Sequence, residues 1–250
     1  VKRDVVTVYK QTVLGPLWYL LQPLFTSITF TLIFNTVAGI NTGSVPPFLF
    51  NLAGITIWNY FTACLNGTSN TFGSNAGIFG KVYFPRIIVP LSIVISNLLK
   101  FGIQFFIFIC FYLYYYLQGA AIGMNATTLF FPLLIVMMGI LGLGLGMFIS
   151  SLVTKYRDFS NLVGFGVQLL MYVSAVMYPM ALIKEKLPTY GWLVEYNPLA
   201  YVIETTRYML LDVGHISLLG LGYTFLVTIS VFFVGVLIFN RTEKSFIDTV

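Results

Sequence analysis

TTLFFPLLIVMMGILGLGLGMFISSL, Thr127 to Leu152, runs its whole length without a charged side chain. At 1.5 Å per residue a helix of this length exceeds the ~30 Å of a bilayer's hydrocarbon core. The stretch therefore reads as a membrane span, and the rest of the chain agrees with it. The sequence is 58% hydrophobic and 17% aromatic with 8% charged residues, against about 25% charged in soluble domains. Backbone polar groups in lipid must be satisfied internally, and the apolar runs are continuous rather than alternating, so the expected class is an all-α integral membrane protein.

Working outward, Thr127–Leu152 is the fourth of six expected spans. Before it lie the uncharged turn Gln118–Asn125 and the third span, Ile87–Leu117. Asn66–Arg86 precedes these, too polar and too glycine-rich to cross a bilayer. Phe48–Leu65 is the second span and Gly39–Pro47 an uncharged turn. Leu17–Ala38 is the first span, with Trp18 and Tyr19 as interface anchors and Pro23 predicting a kink. Residues 1–15 form an amphipathic helix: Val1, Val5, Val8 and Thr12 share a face, while Lys2, Arg3 and Lys10 lie off it. After the fourth span come the charged loop Thr154–Asp158, a fifth span at Phe159–Val176, a longer polar segment at 178–215, and a last span at Ile216–Phe239. All 250 residues read as one membrane domain.

Charge sets the orientation. Nine of the thirteen Lys and Arg fall on one side of this topology, namely Lys2, Arg3, Lys10, Lys81, Arg86, Lys155, Arg157, Arg241 and Lys244. Lys184, Lys186 and Arg207 fall on the other. The positive-inside rule places the first side, and both termini, in the cytoplasm. The net charge of +5 is scattered in ones and twos at span ends and forms no basic stripe, which excludes a nucleic-acid partner. Membrane lipids are the expected surroundings.

Gly142 and Gly146 form a GxxxG pair, which allows close backbone approach. It suits a dimer seam, a sliding helix or packing within one subunit, and the last is the favoured reading. In 178–215, Asn197 is a helix cap and Pro198 a first-turn residue. The helix they start runs to about Leu211, with Gly214 as its stop. It is ~20 Å long, too short to cross, and carries Glu204 and Arg207 at pairing distance. Pro188 breaks the stretch before it. Two short re-entrant helices at an external gate follow from this.

The chain lacks the means for covalent chemistry. His215 stands alone, and Cys64 and Cys110 have no metal-ligand neighbours. Neither metal nor cofactor is expected. Gly80-Lys81 is not the end of a phosphate loop, because Asn75 and Val82 occupy the positions where Gly and Ser or Thr belong. The spans contain no acidic residue, so an ion relay lacks its usual carboxylate. Energy for work must come from a partner. Lys100 is the one charge near the middle of a span, either facing an aqueous path or pairing with a neighbouring helix. Phe111, Tyr112, Tyr114, Tyr115 and Tyr116 make either a membrane belt or a surface on which sugar rings stack.

Three stretches together resemble the polysaccharide and polyol-phosphate export permeases of the type-2 ABC transporters, which include O-antigen, teichoic-acid and capsule exporters. They are YKQTVLGPLWYLLQP (Tyr9–Pro23), KVYFPR (Lys81–Arg86), and YRDFSNLVGFGVQLLMYVSAVMYP (Tyr156–Pro179) with YNPLAYVIETTRYMLL (Tyr196–Leu211). The resemblance implies a homodimer in the bacterial inner membrane, bound to two cytoplasmic ATPase subunits that hold Mg-ATP, and exporting a lipid-linked polysaccharide. It implies no enzyme activity in this chain. The coupling element would fall within 66–86, with Asn75, Phe79, Lys81, Tyr83 and Arg86 facing the ATPase. The segment 178–215 would be the periplasmic gate, with Tyr178, Asn197, Tyr201, Glu204, Arg207 and Lys100 along the substrate path. Lys100 departs from the acidic residue expected there in many relatives. The rivals from other classes are an ion-coupled secondary carrier and a membrane-embedded glycan transferase. The first would show midplane ion ligands and an inverted repeat, and the second a cluster of carboxylates and His.

Overall fold

The structure is a computed structural model that describes residues 17–79, 85–156, 158–186 and 188–247. The expected helix at residues 1–15 lies outside the described residues. Every regular element among those described is helical. In chain order they are α1 (Trp18–Phe30, continued by a π-helical stretch Thr31–Val37), α2 (Pro47–Thr68), α3 (Thr71–Phe79) and α4 (Ile88–Leu117). A 3₁₀ turn at Ala126–Phe130 leads into α5 (Phe131–Lys155), followed by α6 (Phe159–Val173). Then come α7 (Met180–Lys186), α8 (Gly191–Glu195), α9 (Pro198–Leu211) and α10 (Leu218–Ile247).

Five helices among the described residues are long and apolar enough to cross a membrane: Trp18–Val37, Pro47–Thr68, Ile88–Leu117, Ala126–Lys155 and Leu218–Glu243. The expected fifth crossing corresponds to α6, which is apolar but has 15 residues. That is about 22 Å, short of the hydrocarbon thickness. It stops before Val176 because Ala175 turns left-handed, with φ 53°, and the carbonyls of Ala175 and Val176 leave the helix to bond Arg207.

The bundle is organised around α2. The buried share of its span is 78%, against 11% for the first span and 17% for the last. It packs against α1, α4, α5 and α9. Lipid offers no hydrophobic drive between helices, so association depends on close van der Waals fit and on small residues at the contacts. Gly142 and Gly146 supply that fit. A Cβ on Gly142 would lie 2.9 Å from the Phe61 carbonyl oxygen, and one on Gly146 2.9 Å from that of Leu65. The GxxxG pair is thus a seam between α5 and α2 inside one subunit. On the other side of α5, a Cβ on Gly144 would lie 2.8 Å from the Phe232 Cα of α10.

Pro23 is buried within α1, and the regular pattern persists to Phe30. The irregularity comes after it. Thr31 Oγ1 donates to the Ser27 carbonyl at 2.8 Å, competing with the backbone ladder as helical threonines do, and the helix widens into the π-helical stretch. Asn51 Nδ2 of α2 clamps this stretch, donating to Thr31 Oγ1 at 3.1 Å and Asn35 Oδ1 at 2.9 Å.

The aromatic run on α4 divides in two. Phe101, Phe105, Phe108, Tyr112 and Tyr116 form a ladder with centroids 5.7 to 6.3 Å apart, and Phe131 of α5 packs on it. Phe101, Phe108 and Tyr112 are core, while Tyr114 and Tyr116 are exposed. Most of the ladder is therefore packing, and its outer end is exposed.

Candidate functional site

Asn197 caps α9 as its sequence suggests: its Oδ1 accepts from the Leu199 N–H at 3.0 Å, and Pro198 opens the first turn. Its Nδ2 also donates to Ser174 Oγ at 2.9 Å, which ties the start of α9 to the end of α6. The helix ends at Leu211, where Asp212 takes a left-handed conformation (φ 58°) and Gly214 follows at φ 94°. Asn125 Nδ2 reaches this end, donating to the Tyr208 carbonyl at 3.0 Å and to Asp212 Oδ1 at 2.7 Å. Thr128 Oγ1 donates to the Met209 carbonyl. Both ends of α9 are thus held by neighbouring elements.

At its centre, α9 carries the most deeply buried cation among the described residues. Arg207 is fully buried, and Glu204, 3.8 Å away, is 6% exposed. Arg207 donates to the carbonyls of Ala175 (2.9 Å), Tyr178 (3.3 Å) and Val176. Its guanidinium carbon lies over the Phe50 ring of α2, 3.8 Å from the centroid. A planar group with five donors suits this position, since it satisfies three backbone acceptors and meets an aromatic ring at once. Gly54 makes the room: a Cβ there would lie 2.6 Å from Arg207 Nη2. Tyr178 and Tyr201, also expected at the gate, pack in the same region with Ala175 and Ala200. Tyr178 Oη donates to the Tyr172 carbonyl, and the Tyr201 ring lies against Gly220 of α10. Two short helices, α7 and α8, precede α9 and are joined by an exposed Lys184–Glu195 pair at 3.1 Å.

At the opposite end, α3 occupies the expected coupling region. Its Asn75 Nδ2 donates to the Thr71 carbonyl at 2.9 Å. Phe72 is fully buried and stacks on Phe239 of α10, with centroids 4.5 Å apart. Leu143 and Met147 of α5 complete this cluster. Arg86 turns inward, 7% exposed, with Nε 3.8 Å from Glu243 Oε1 and Nη1 donating to the Glu243 carbonyl. It binds the start of α4 to the end of α10. The side chain of Phe79, and all of Lys81 and Tyr83, lie outside the described residues.

Lys100 is set apart from both clusters. It lines a polar cavity between α1, α2 and α4, with Nζ 5.3 Å from the Tyr19 ring centroid. The structure therefore does not bring it together with Tyr178, Asn197, Tyr201, Glu204 and Arg207. Sequence reasoning passed over the amides beside it. Asn97, Lys100 and Gln104 recur at helical spacing on one face of α4, a polar stripe in an apolar span that was the available signal. Phe50, Phe72, Phe239 and Ser174 gave none, because single apolar or hydroxyl residues in such segments are ordinary.

The ABC-2 type transporter family matches residues 1–211. The chain is 29% identical to an O-antigen export system permease protein, RfbA, of Klebsiella pneumoniae, covering 98% of this chain and 91% of the relative. It is 24% identical to a protein of the same name from Myxococcus xanthus, over 74% and 69% of the two chains. It is 23% identical to the polysialic acid transport protein KpsM of Escherichia coli, over 99% and 93%.

Proposed function

The chain belongs to the ABC-2 type transporter family, and from that premise we propose that it is the membrane-spanning permease subunit of an ABC exporter of polysaccharide. The relatives named for O-antigen export and polysialic acid transport support the substrate class. The polymer travels attached to a lipid. The subunit works as a homodimer in the bacterial inner membrane, both termini cytoplasmic, with two ATPase subunits bound. It carries out no covalent chemistry itself, and the Mg-ATP hydrolysed by the complex is held by the ATPases.

The observation that carries the coupling half of this reading is α3. It is a nine-residue helix set between two spans, and its Phe72 is wedged against both α5 and α10. A partner docking on 66–86, through Asn75, Phe79, Lys81, Tyr83 and the segment ending at Arg86, would move those two spans as a rigid body. Among the described residues of α6 none is buried, and the first span is largely exposed. Both faces suit a second copy and the substrate path. The segment 178–215, with Tyr178, Asn197, Tyr201, Glu204 and Arg207, acts as the external gate, and Lys100 meets anionic groups from the inner side.

The test is co-purification with the ATPase encoded in the same organism, with and without Lys81→Glu and Asn75→Glu. Capture that stimulates ATP hydrolysis, weakened by either substitution, supports the reading. Capture indifferent to both places the coupling surface elsewhere. Transport that persists after ATP depletion, with the membrane potential clamped, would overturn the exporter itself.

A further inference from the structure

We propose that the apolar cavity between the start of α5, the end of α9 and the start of α10 binds one acyl chain of a membrane phospholipid. This inference needs only that the chain spans a bilayer, and it stands apart from the exporter reading.

The cavity measures about 470 Å³, a size at which proteins hold small molecules. Leu134, Met137 and Met209 are buried at its floor, while Leu133, Leu218 and Phe225 are exposed at its mouth. It therefore has an interior and opens between α5 and α10 toward the surroundings. Gly222 of α10 also lines it, and nothing lies within 4 Å of a Cβ built there. A larger residue at that position would begin to fill the space. The two methionines of the floor are unbranched and adapt to the shape of an apolar ligand.

The lining decides what the occupant is made of. No lining residue is charged, and Thr127 supplies the one hydroxyl. A buried water needs about two to four polar partners, so water does not fill the site. The helices with the least buried surface, α6 and the first span, contribute nothing to the lining. A protein partner would find its larger apolar faces there. A slender occupant that is apolar along its length, a file of methylenes, matches what remains.

Depth and level select a lipid. The cluster of Phe72, Met147 and Phe239 marks the α3 end of the bundle, and α5 and α10 both begin at the opposite end. On α10 the lining runs from Leu218 to Phe225, about 10 Å of helix. One leaflet contributes roughly 15 Å of hydrocarbon, so the cavity lies within a single leaflet and runs the way its chains run. Thr127 stands at the headgroup end, before α5 begins. Its hydroxyl oxygen is buried without a hydrogen-bond partner. The ester carbonyl at the top of an acyl chain is the kind of acceptor that this hydroxyl lacks.

The experiment places the full chain in nanodiscs of phosphatidylethanolamine and phosphatidylglycerol, with a trace of phosphatidylglycerol bearing a diazirine in one acyl chain. After irradiation, mass spectrometry maps the lipid adducts along the sequence. Adducts at residues 133–137 and 221–225 should exceed those at exposed residues of α1 and α4 by about fivefold or more. Gly222→Leu should lower the adducts at 133–137 about fivefold, because its side chain displaces part of the bound chain together with that part's dispersion contacts. Gly102→Leu is the same change on α4, where nothing lies within 4 Å of a Cβ either, and should leave them unchanged. Adducts spread over α1, α4 and α10 in proportion to exposure would mark passing lipid only and overturn the proposal, and the parent protein alone decides this if Gly222→Leu does not fold. Unchanged adducts in folded Gly222→Leu would overturn it as well. So would benzoylphenylalanine at position 133 crosslinking to a second copy, which would give the mouth of the cavity to a subunit contact.

Discussion

The guanidinium carbon of Arg207 lies over the ring of Phe50, 3.8 Å from its centroid, and this cation–π contact joins the short helix α9 to the central span α2. The same guanidinium holds three carbonyls of the segment that follows α6. One side chain thus fixes where α6 ends, where α9 sits, and which face of α2 both rest on.

Arg207→Ala should therefore destabilise the subunit by about 3 kcal/mol or more, because it leaves Glu204 buried without its cation and three carbonyls without donors. Arg207→Lys should recover only part of this, since an ammonium lacks the planar, five-donor geometry of a guanidinium. Thermal unfolding in detergent, followed by fluorescence-detected size exclusion, measures both. Equal stability of all three proteins would contradict the geometry.

Gly142→Val and Gly146→Val should each abolish or sharply lower the yield of folded subunit. The added carbons would meet backbone oxygens of α2 that have no rotamer to change. Gly166→Ala is the control: nothing lies within 4 Å of a Cβ there, and alanine favours helix by up to about 1 kcal/mol. Its fold should be unchanged or slightly more stable. Gly166→Trp should alter assembly in crosslinking experiments, and not subunit folding, if a second copy covers α6.

Phe72→Ala empties a fully buried site and should cost about 3 kcal/mol or more. Phe72→Leu should restore most of the stability. If α3 transmits force, the Leu variant will keep the ATPase bound yet lower transport per ATP hydrolysed in proteoliposomes. Normal coupling in a folded Phe72→Leu protein would remove the stacked pair from the mechanism.

Asn197→Ala removes a helix cap, worth about 1 kcal/mol, and also the link to Ser174. Asn197→Asp keeps the acceptor for the Leu199 N–H and should retain the cap. Hydrogen exchange at the first turn of α9 distinguishes them: faster exchange is expected in Ala and not in Asp.

Reading the sequence located α9 closely, because Asn197, Pro198 and Gly214 are local signals whose physics does not depend on neighbours; the left-handed Asp212 that caps the helix two residues before Gly214 gave no such signal. It also placed the second, third and fourth spans within a few residues, since hydropathy and length suffice there. The end of α6 was not legible. Nothing in Ser174-Ala175-Val176 announces a left-handed alanine, which is held by an arginine 32 residues away. Lys100 was legible as unusual, but its surroundings come from three helices, and only its own helix's amide stripe is visible in sequence. Arg86 reads as a surface charge, and its partner Glu243 lies 157 residues on.

The contacts at the two ends of α5 have a mechanical consequence. Near its start, Asn125 and Thr128 grip the far end of α9, and about 24 Å along the helix from Phe131, Met147 touches the cluster around Phe72. Only the short 3₁₀ turn Ala126–Phe130 separates the first contact from the helix. The helix is a connecting rod, and its stiffness sets the gearing. A shift along its axis at the α3 end would be felt beside α9, because a continuous helix carries axial displacement between its contacts.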